Sequence, residues 1–324
     1  MAPKKRGLQE KLARGAALRA APPEDAEREL RAHLADRSGM VVALAATIVR
    51  ERGLGALAKE LEAAFFRLLE DPVGTDPGCR GKLALADALR ELDVHAVDVF
   101  VSGVGFRQPE PGFGRPSDTA GALRVCCAQG LLQVLHPRAL FEIAPLLADA
   151  EPNVRAGIAS VLGGLGSDAA EALLRLKATL GDREPDVTGA CLAGLLRSSF
   201  ERNFPFVRAA LEDADSGVTQ VALLAVGESR ESAAMDLLTG YAESSANADV
   251  RSAALTGLAL LRRPEATAYL VARVEQASEV RAAEAVAALG ALRWDGELVA
   301  RVGALAAARG GKVSVAFARA FRTG

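Results

Sequence analysis

Apolar residues recur at helical spacing along most of the chain, and the pattern restarts at a valine after 30 to 33 residues. Each of these valines follows a short turn and begins about 12 residues in which Ala and Leu return every three or four positions, as on one face of an α-helix. The pattern therefore predicts one helix near each valine. The valines are Val154, Val187, Val218, Val250, Val280 and Val313, with separations of 33, 31, 32, 30 and 33 residues.

A second apolar segment follows these helices after a short turn, as in "AEALLRLKATL" at 170–180 and "ATAYLVARVEQ" at 266–276. One pair of short helices cannot bury both apolar faces alone, so neighbouring pairs must stack. The same pattern begins less regularly at Thr119, at Cys79 and near Met40. The predicted fold is all-α: a right-handed α–α superhelix, a solenoid of about eight to nine helical hairpins.

Three repeats share a more specific signature: an acidic turn, then Val-Arg, then an Ala/Leu helix. In this signature they resemble HEAT-like repeats of the phycobilisome-lyase type, over about residues 76 to 320. The resemblance implies a HEAT-like solenoid and a binding role rather than a reaction, because such repeats serve many unrelated tasks. The matching residues are Glu151, Val154, Arg155 and Gly163; Asp249, Val250 and Arg251; and Glu279, Val280, Arg281 and Gly290, whereas Thr188, Thr219 and Ser314 replace the arginine elsewhere.

The turn acid and the arginine of this signature also have a structural interpretation. An Asp or Glu before a helix accepts hydrogen bonds from its free N–H groups. We expect Arg155, Arg251 and Arg281 to pair with the acid of the adjacent repeat. Asp168 with Glu171 three residues later is typical of a capping box.

The repeats divide the chain into three predicted regions. Residues 1–20 form a basic N-terminal tail or a frayed helix, and 21–324 form a single solenoid. Within that solenoid, 21–75 are N-terminal capping helices and 76–320 are repeats. Residues 104–118, rich in Gly and Pro, are expected to be an inserted loop because the other turns contain only about six residues.

Composition and charge support this interpretation and reduce the number of partner classes to be considered. Half of the residues are hydrophobic but only 4% are aromatic, which suits closely stacked Ala- and Leu-rich helices. The net charge is −2, with +5 in residues 1–20 and +4 in 293–324, so the region between them carries −11. An acidic centre makes nucleic acid an improbable partner and a protein or peptide the expected one.

Targeting signals and cysteine motifs are absent from the sequence. No uninterrupted apolar run of the signal-peptide kind follows the basic first residues, and no stretch of about 18 or more uncharged apolar residues occurs, so we expect a cytoplasmic protein without a membrane span. The four cysteines form no CxxC motif, so we expect buried thiols, with a redox pair at Cys126 and Cys127 as the alternative.

No catalytic or cofactor-binding constellation emerges, so we predict a non-enzymatic protein that uses neither a metal nor a small-molecule cofactor. His33, His95 and His136 lack the adjacent Glu of the His-Glu pairs that bind two irons in some HEAT-repeat hydroxylases. HEAT-like DNA glycosylases suggest Trp294 and Asp295 as site residues, although packing and helix capping explain these two more simply. A lyase-related enzyme is a further alternative, implied only by the repeat type.

Two groups of residues are therefore candidates for contact with a protein partner. The first lies in the inserted loop, where packing between two hairpins is the alternative role for the phenylalanines: Phe106, Arg107, Glu110, Phe113 and Arg115. The second lies on the second helices, which we expect to line the concave face of the solenoid: Arg175, Arg208, Tyr241, Tyr269 and Arg273.

Overall fold

A computed structural model describes residues 3–112, 114, 116–212 and 214–321 of the chain. The chain divides into two compact units, Met1–Val161 and Leu162–Gly324. Within the described residues both units are built from short helices joined by tight turns, apart from one pair of two-residue strands. The chain is an all-α helical-repeat solenoid, as the sequence predicts.

Unit 1 contains the N-terminal helices and the first repeats. Its elements are α1 (Pro3–Ala17), α2 (Pro23–Leu34), α3 (Gly39–Glu51), α4 (Ala58–Glu70), α5 (Pro72–Thr75), α6 (Arg80–Glu91), α7 (Val97–Val104), β1 (Pro109–Glu110), β2 (Ser117–Asp118), α8 (Gly121–Gln133), α9 (Ala139–Ile143) and α10 (Pro152–Gly163), which extends past the division, with 3-10 turns at Gly55–Leu57, Pro77–Cys79 and Ala144–Ala148.

The first helices of unit 1 stack directly on one another. Helix α3 packs on α6, and α6 packs on α8. Helix α7, the second helix of the hairpin that begins with α6, also packs against α8. The faces between them are apolar and fully buried, with Ile48, Leu85 and Leu131 at their centres. Burial of Leu and Ile side chains contributes about 1.5–3 kcal/mol each, and this stabilises the stack.

Helix α1 belongs to this unit through ion pairs as well as apolar contact. Lys11 pairs with Asp36 at 2.6 Å, and Arg14 pairs with Glu29 at 2.7 Å. Leu18 at its end is buried. The basic side chains of α1 therefore serve, at least in part, to hold it against α2.

Unit 2 repeats the same hairpin more regularly. Its elements are α11 (Asp168–Leu180), α12 (Pro185–Ser198), α13 (Phe200–Ala210), α14 (Ser216–Glu228), α15 (Met235–Ser244), α16 (Ala248–Leu260), α17 (Pro264–Gln276), α18 (Glu279–Leu289), α19 (Gly296–Arg309) and α20 (Gly311–Ala320), with 3-10 turns at Ser232–Ala234 and Gly290–Leu292.

First helices in unit 2 approach each other closely because glycine stands at their contacts. Helices α12, α14, α16, α18 and α20 pack in sequence, with the second helices beside them. A Cβ atom added to Gly227 of α14 would lie 2.3 Å from the carbonyl oxygen of Gly257 on α16. Any side chain here would force the two helices apart, so glycine sets their separation.

The turn between the first and second helix repeats one backbone feature. A residue two or three positions after the end of the first helix has positive φ, namely Gly53, Asp93, Leu135, Gly166, Arg230 and Arg262. This left-handed conformation closes a helix C-terminus and favours glycine, because a Cβ atom crowds the backbone there. Four of the six positions nevertheless carry a larger residue.

The predicted first helices are confirmed, but some details of the hairpins differ. The apolar segment "FVRAALEDA" at 206–214 predicts the second helix that follows α12, but this helix, α13, already begins at Phe200 and contains Pro205. The capping box at Asp168 is wrong: Ser167 caps α11, accepting from the Ala170 N–H at 3.3 Å, so Asp168 is already inside the helix.

The predicted pairing of Arg251 and Arg281 with a turn acid is also wrong. Arg251 does reach the next repeat, but it pairs with Glu284 inside α18 at 2.7 Å, and Arg281 lies 3.9 Å from the same carboxylate. Glu284 lies within α18 rather than in the turn before it, so the contact joins two first helices. No described helix is long and apolar enough to cross a membrane.

Candidate protein-interaction surface

The connector between α7 and α8 is a small hairpin rather than an open loop. Strands β1 and β2 are antiparallel, with Pro109 opposite Asp118 and Glu110 opposite Ser117. Glu110 Oε1 accepts hydrogen bonds from Gly78 N, Gln108 Nε2 and Thr119 Oγ1, each at 2.7 Å. Burial works against ionisation of Glu110, yet these hydrogen bonds hold its pKa below the ordinary value. Glu110 thus binds the connector to the turn before α6.

A buried arginine anchors the other side of the connector. Arg124 of α8 is fully buried and donates to Asp118 at 2.6 Å, to Asp149 at 3.1 Å and to the Phe106 carbonyl at 2.9 Å. Arg107 donates to the second oxygen of Asp149 at 2.9 Å. Burial raises the pKa of Asp149 and of Asp118, but hydrogen bonds and the nearby guanidinium groups outweigh it and lower both.

A buried ion pair supports the connector from the α6 side. Lys82 Nζ lies 2.8 Å from Asp76 Oδ2, and both side chains are excluded from solvent. Asp76 also accepts from the N–H groups of Gly81 and Lys82, so it caps α6. Gln108 donates to the Asp76 carbonyl at 2.9 Å. The adjacent residues Arg107 and Gln108 therefore reach residues 149 and 76, on opposite sides of the connector.

The connector residues predicted to bind a partner are thus used largely for internal contacts. Phe106 is half-buried, with Lys82 Nζ 5.8 Å from its ring centroid, and Arg107 and Glu110 are held as described above. Phe113 and Arg115 lie outside the described residues. The exposed part of the connector that the structure describes includes Pro111, Gly114 and Pro116. Partner binding by these residues stays a prediction.

A groove in unit 2 brings two of the predicted second-helix residues together. It lies between α13 and α15 and has a volume of about 350 Å³. Arg208 and Tyr241 both line it, with Gly240 between them and no heavy atom within 4 Å of a Cβ atom built on that glycine. The remaining lining residues are Phe204, Ala233, Asp236, Leu237 and Ser244.

Aromatic packing holds the walls of this groove in place. The Phe204 ring stacks on Phe200 with 4.6 Å between centroids. The Tyr241 hydroxyl donates to the Leu211 carbonyl at 3.3 Å, and burial raises the pKa of Tyr241. Arg208, by contrast, is exposed and has no ion-pair partner among the described residues. The groove therefore combines rigid aromatic walls with a free guanidinium at its edge.

The other second-helix candidates lie at neighbouring seams. Tyr269 and Arg273 of α17 both donate to Glu243 of α15, and burial together with the Glu243 hydrogen bond raises the pKa of Tyr269 to about 12. Arg175 of α11 donates to Asn203 Oδ1 at 2.6 Å, and its guanidinium lies 5.0 Å from the Phe206 ring centroid. These three side chains therefore join adjacent second helices.

The residues considered for catalysis are placed in structural roles. Asp295 caps α19 by accepting from the Leu298 N–H at 3.1 Å, and Trp294 is 53% exposed under the Arg262 guanidinium. Cys126 and Cys127 are buried free thiols, and burial raises the pKa of both, that of Cys126 to about 11. Among the described residues no group of three or more His, Cys, Asp and Glu side chains is arranged to hold a metal ion.

Sequence reasoning missed the buried charges beneath the connector, although the pattern contained a signal for them. Lys82 occupies an apolar position of α6, spaced like Leu85, Ala86 and Leu89 on one face. Arg124 stands at the same offsets from Cys127, Ala128 and Leu131 in α8. A basic residue on the core face of a helix implies a buried acid nearby, because an unpaired buried charge is costly.

Comparison with known proteins identifies the repeats. A family of HEAT repeats matches residues 173–259 and 204–290. No curated protein matches the chain. Among solved structures, human deoxyhypusine hydroxylase in complex with glycerol matches with 18% sequence identity and a TM-score of 0.34, covering 83% of this chain and 96% of that one. That likeness is too weak to bear on function. Residues 173–290 are therefore similar to HEAT repeats.

Proposed function

We propose that the protein is a non-enzymatic helical-repeat scaffold of the cytoplasm that binds a protein or peptide partner. The groove between α13 and α15 carries this proposal. Helical repeats offer broad surfaces on which a few anchors supply most of the binding free energy. Phe204 and Tyr241 are suitable anchors, since their ordered rings lose little conformational entropy on binding.

Gly240 gives the groove a second feature of a binding site. Glycine at an exposed helix position destabilises a helix by about 1 kcal/mol relative to alanine. No neighbouring atom excludes a side chain at Gly240. Its packing environment therefore does not require glycine, whereas a partner backbone lying along the groove would.

The connector residues Phe106, Arg107 and Glu110 form a second proposed contact, through the exposed outer part of the β1–β2 hairpin. Their internal hydrogen bonds fix the shape of that hairpin. A fixed loop loses less conformational entropy on binding than a flexible one. This contact is tested separately, because it belongs to the other unit.

The test uses a photo-crosslinking phenylalanine analogue at Ser244, an exposed residue that lines the groove, in the native cell, with Ser252 as the matched control. Ser252 is an exposed residue of α16, a first helix. We expect a discrete protein crosslink at 244 that is lost with Arg208→Glu, and none at 252. The purified partner should then bind the wild type at least tenfold more tightly than Gly240→Phe. Equal crosslinking at both positions would contradict the proposal.

A further inference from the structure

A row of arginines follows the turns between first and second helices in unit 2. Arg230, Arg262 and Arg293 occupy these turns in three consecutive repeats, separated by 32 and 31 residues. Arg263 adds a fourth guanidinium beside Arg262. All four side chains are exposed. We call these four residues with Trp294 the arginine edge; none of them lines the α13–α15 groove.

Direct contacts join the successive turns of the arginine edge. Arg263 Nε donates to the Arg230 carbonyl at 2.9 Å. The Arg262 guanidinium lies 4.8 Å from the centroid of the Trp294 ring, which belongs to the next turn. The edge is therefore a continuous surface across three repeats.

The charges of the arginine edge have no acidic partner within the part of unit 2 that the structure describes. Most other arginines there form ion pairs, such as Arg273 with Glu243 and Arg251 with Glu284. The Arg262 guanidinium lies against the Trp294 ring, which restricts its motion, while the arginine side chain stays exposed. A planar guanidinium can bind a carboxylate with two parallel hydrogen bonds.

We propose that the arginine edge binds an acidic peptide segment in an extended conformation. Adjacent helices pack about 8–10 Å apart, so the guanidinium groups recur at about that distance. An extended chain in the polyproline II conformation has three residues per turn and advances about 3.1 Å per residue, so acidic side chains at every third position share one face about 9 Å apart and match them. Residues 162–324 hold 18 basic and 20 acidic side chains, and Glu231, Glu265 and Asp295 follow residues of the edge within two positions in the sequence. These acids disfavour a continuous polyanion such as nucleic acid relative to spaced carboxylates.

Trp294 is the single tryptophan of the protein, so its fluorescence reports binding directly. The full chain is titrated with a 12-residue peptide carrying Glu at every third position, with the same peptide carrying Gln, and with a single-stranded oligonucleotide. We expect a saturable fluorescence change with the Glu peptide only, weakening as salt is raised. No saturable change, or tighter binding of the oligonucleotide, would overturn the proposal.

Variants locate the binding, measured by the anisotropy of a labelled Glu peptide. Arg262→Gly and Arg230→Gly remove guanidinium groups where glycine suits the backbone, and we expect each to weaken binding about tenfold. Arg183→Ala is the matched control, an exposed arginine in the turn between α11 and α12. Equal affinity of Arg262→Gly and wild type would refute the assignment. Gly240→Phe should leave this affinity unchanged, which separates the arginine edge from the groove.

Discussion

Lys82 and Asp76 form an ion pair at the start of α6, with 2.8 Å between Lys82 Nζ and Asp76 Oδ2, and both side chains are buried. Taking two charges out of water is costly, and the pair persists because Asp76 also accepts two backbone N–H groups. Each partner is therefore far more important to the fold than an exposed ion pair, which contributes about 0–1 kcal/mol.

Removing the positive partner should destabilise the protein strongly. Lys82→Met leaves Asp76 charged and buried without its ammonium, so we expect the free energy of unfolding to fall by about 3–5 kcal/mol. Lys59→Met on α4 is the control, because Lys59 is exposed and has no ion pair among the described residues, and it should change stability by less than about 0.5 kcal/mol. Urea denaturation measures both. Similar losses for the two variants would show that the pair is unimportant.

Two glycine-to-alanine changes should shift stability in opposite directions. Gly227→Ala places a Cβ atom 2.3 Å from the Gly257 carbonyl oxygen, and such overpacking costs about 1–3 kcal/mol. Gly240→Ala meets nothing within 4 Å and should stabilise α15 by about 1 kcal/mol. Thermal unfolding should therefore give a lower Tm for the first and a higher Tm for the second. The same sign for both would mean that the helix contact at Gly227 is looser than described.

Relief of backbone strain should be measurable at Arg230. Its φ of 58° is costly for any residue with a Cβ atom, so Arg230→Gly should raise the free energy of unfolding by about 1 kcal/mol. Arg183→Gly is the control: it lies outside the positive-φ positions and should lower stability slightly, since glycine makes the unfolded chain more flexible. Chemical denaturation of the two variants gives the comparison. A loss of stability in Arg230→Gly would contradict the argument.

The two tyrosines should both ionise late in an alkaline titration. Burial, and then the hydrogen bond to Glu243, raise the pKa of Tyr269 from 10.0 to about 12. Because the folded-state pKa is raised, Tyr269 contributes stability that is fully present below pH 10 and is lost as the pH rises toward about 12. Absorbance near 295 nm in Tyr241→Phe isolates Tyr269. Adding Glu243→Gln should lower its midpoint, and an unchanged midpoint would exclude the Glu243 contribution.

Helix positions could be predicted from the sequence because a 3.6-residue period survives every substitution of one apolar residue for another. The second helix of the repeat that begins at Thr119 is harder to predict from its sequence, because it contains Pro145 and ends as a 3-10 segment, Ala144–Ala148. The β1–β2 hairpin was not predicted, because its two-residue strands have no period to detect. Arg208 and Tyr241 were chosen from the second-helix pattern. Their shared groove depends on Gly240, whose significance is visible only when its neighbours are known.

The β1–β2 hairpin between α7 and α8 should change the order in which the helical layers of unit 1 unfold. In a simple repeat array each layer is coupled only to the next, so layers open one after another. Here Gln108 holds residue 76 and Arg107 holds residue 149, which couples hairpins that are not consecutive in the chain. Amide protons of α6, α8 and the start of α10 should then exchange with solvent together, as one cooperative block, while the layers of residues 162–324 retain graded protection.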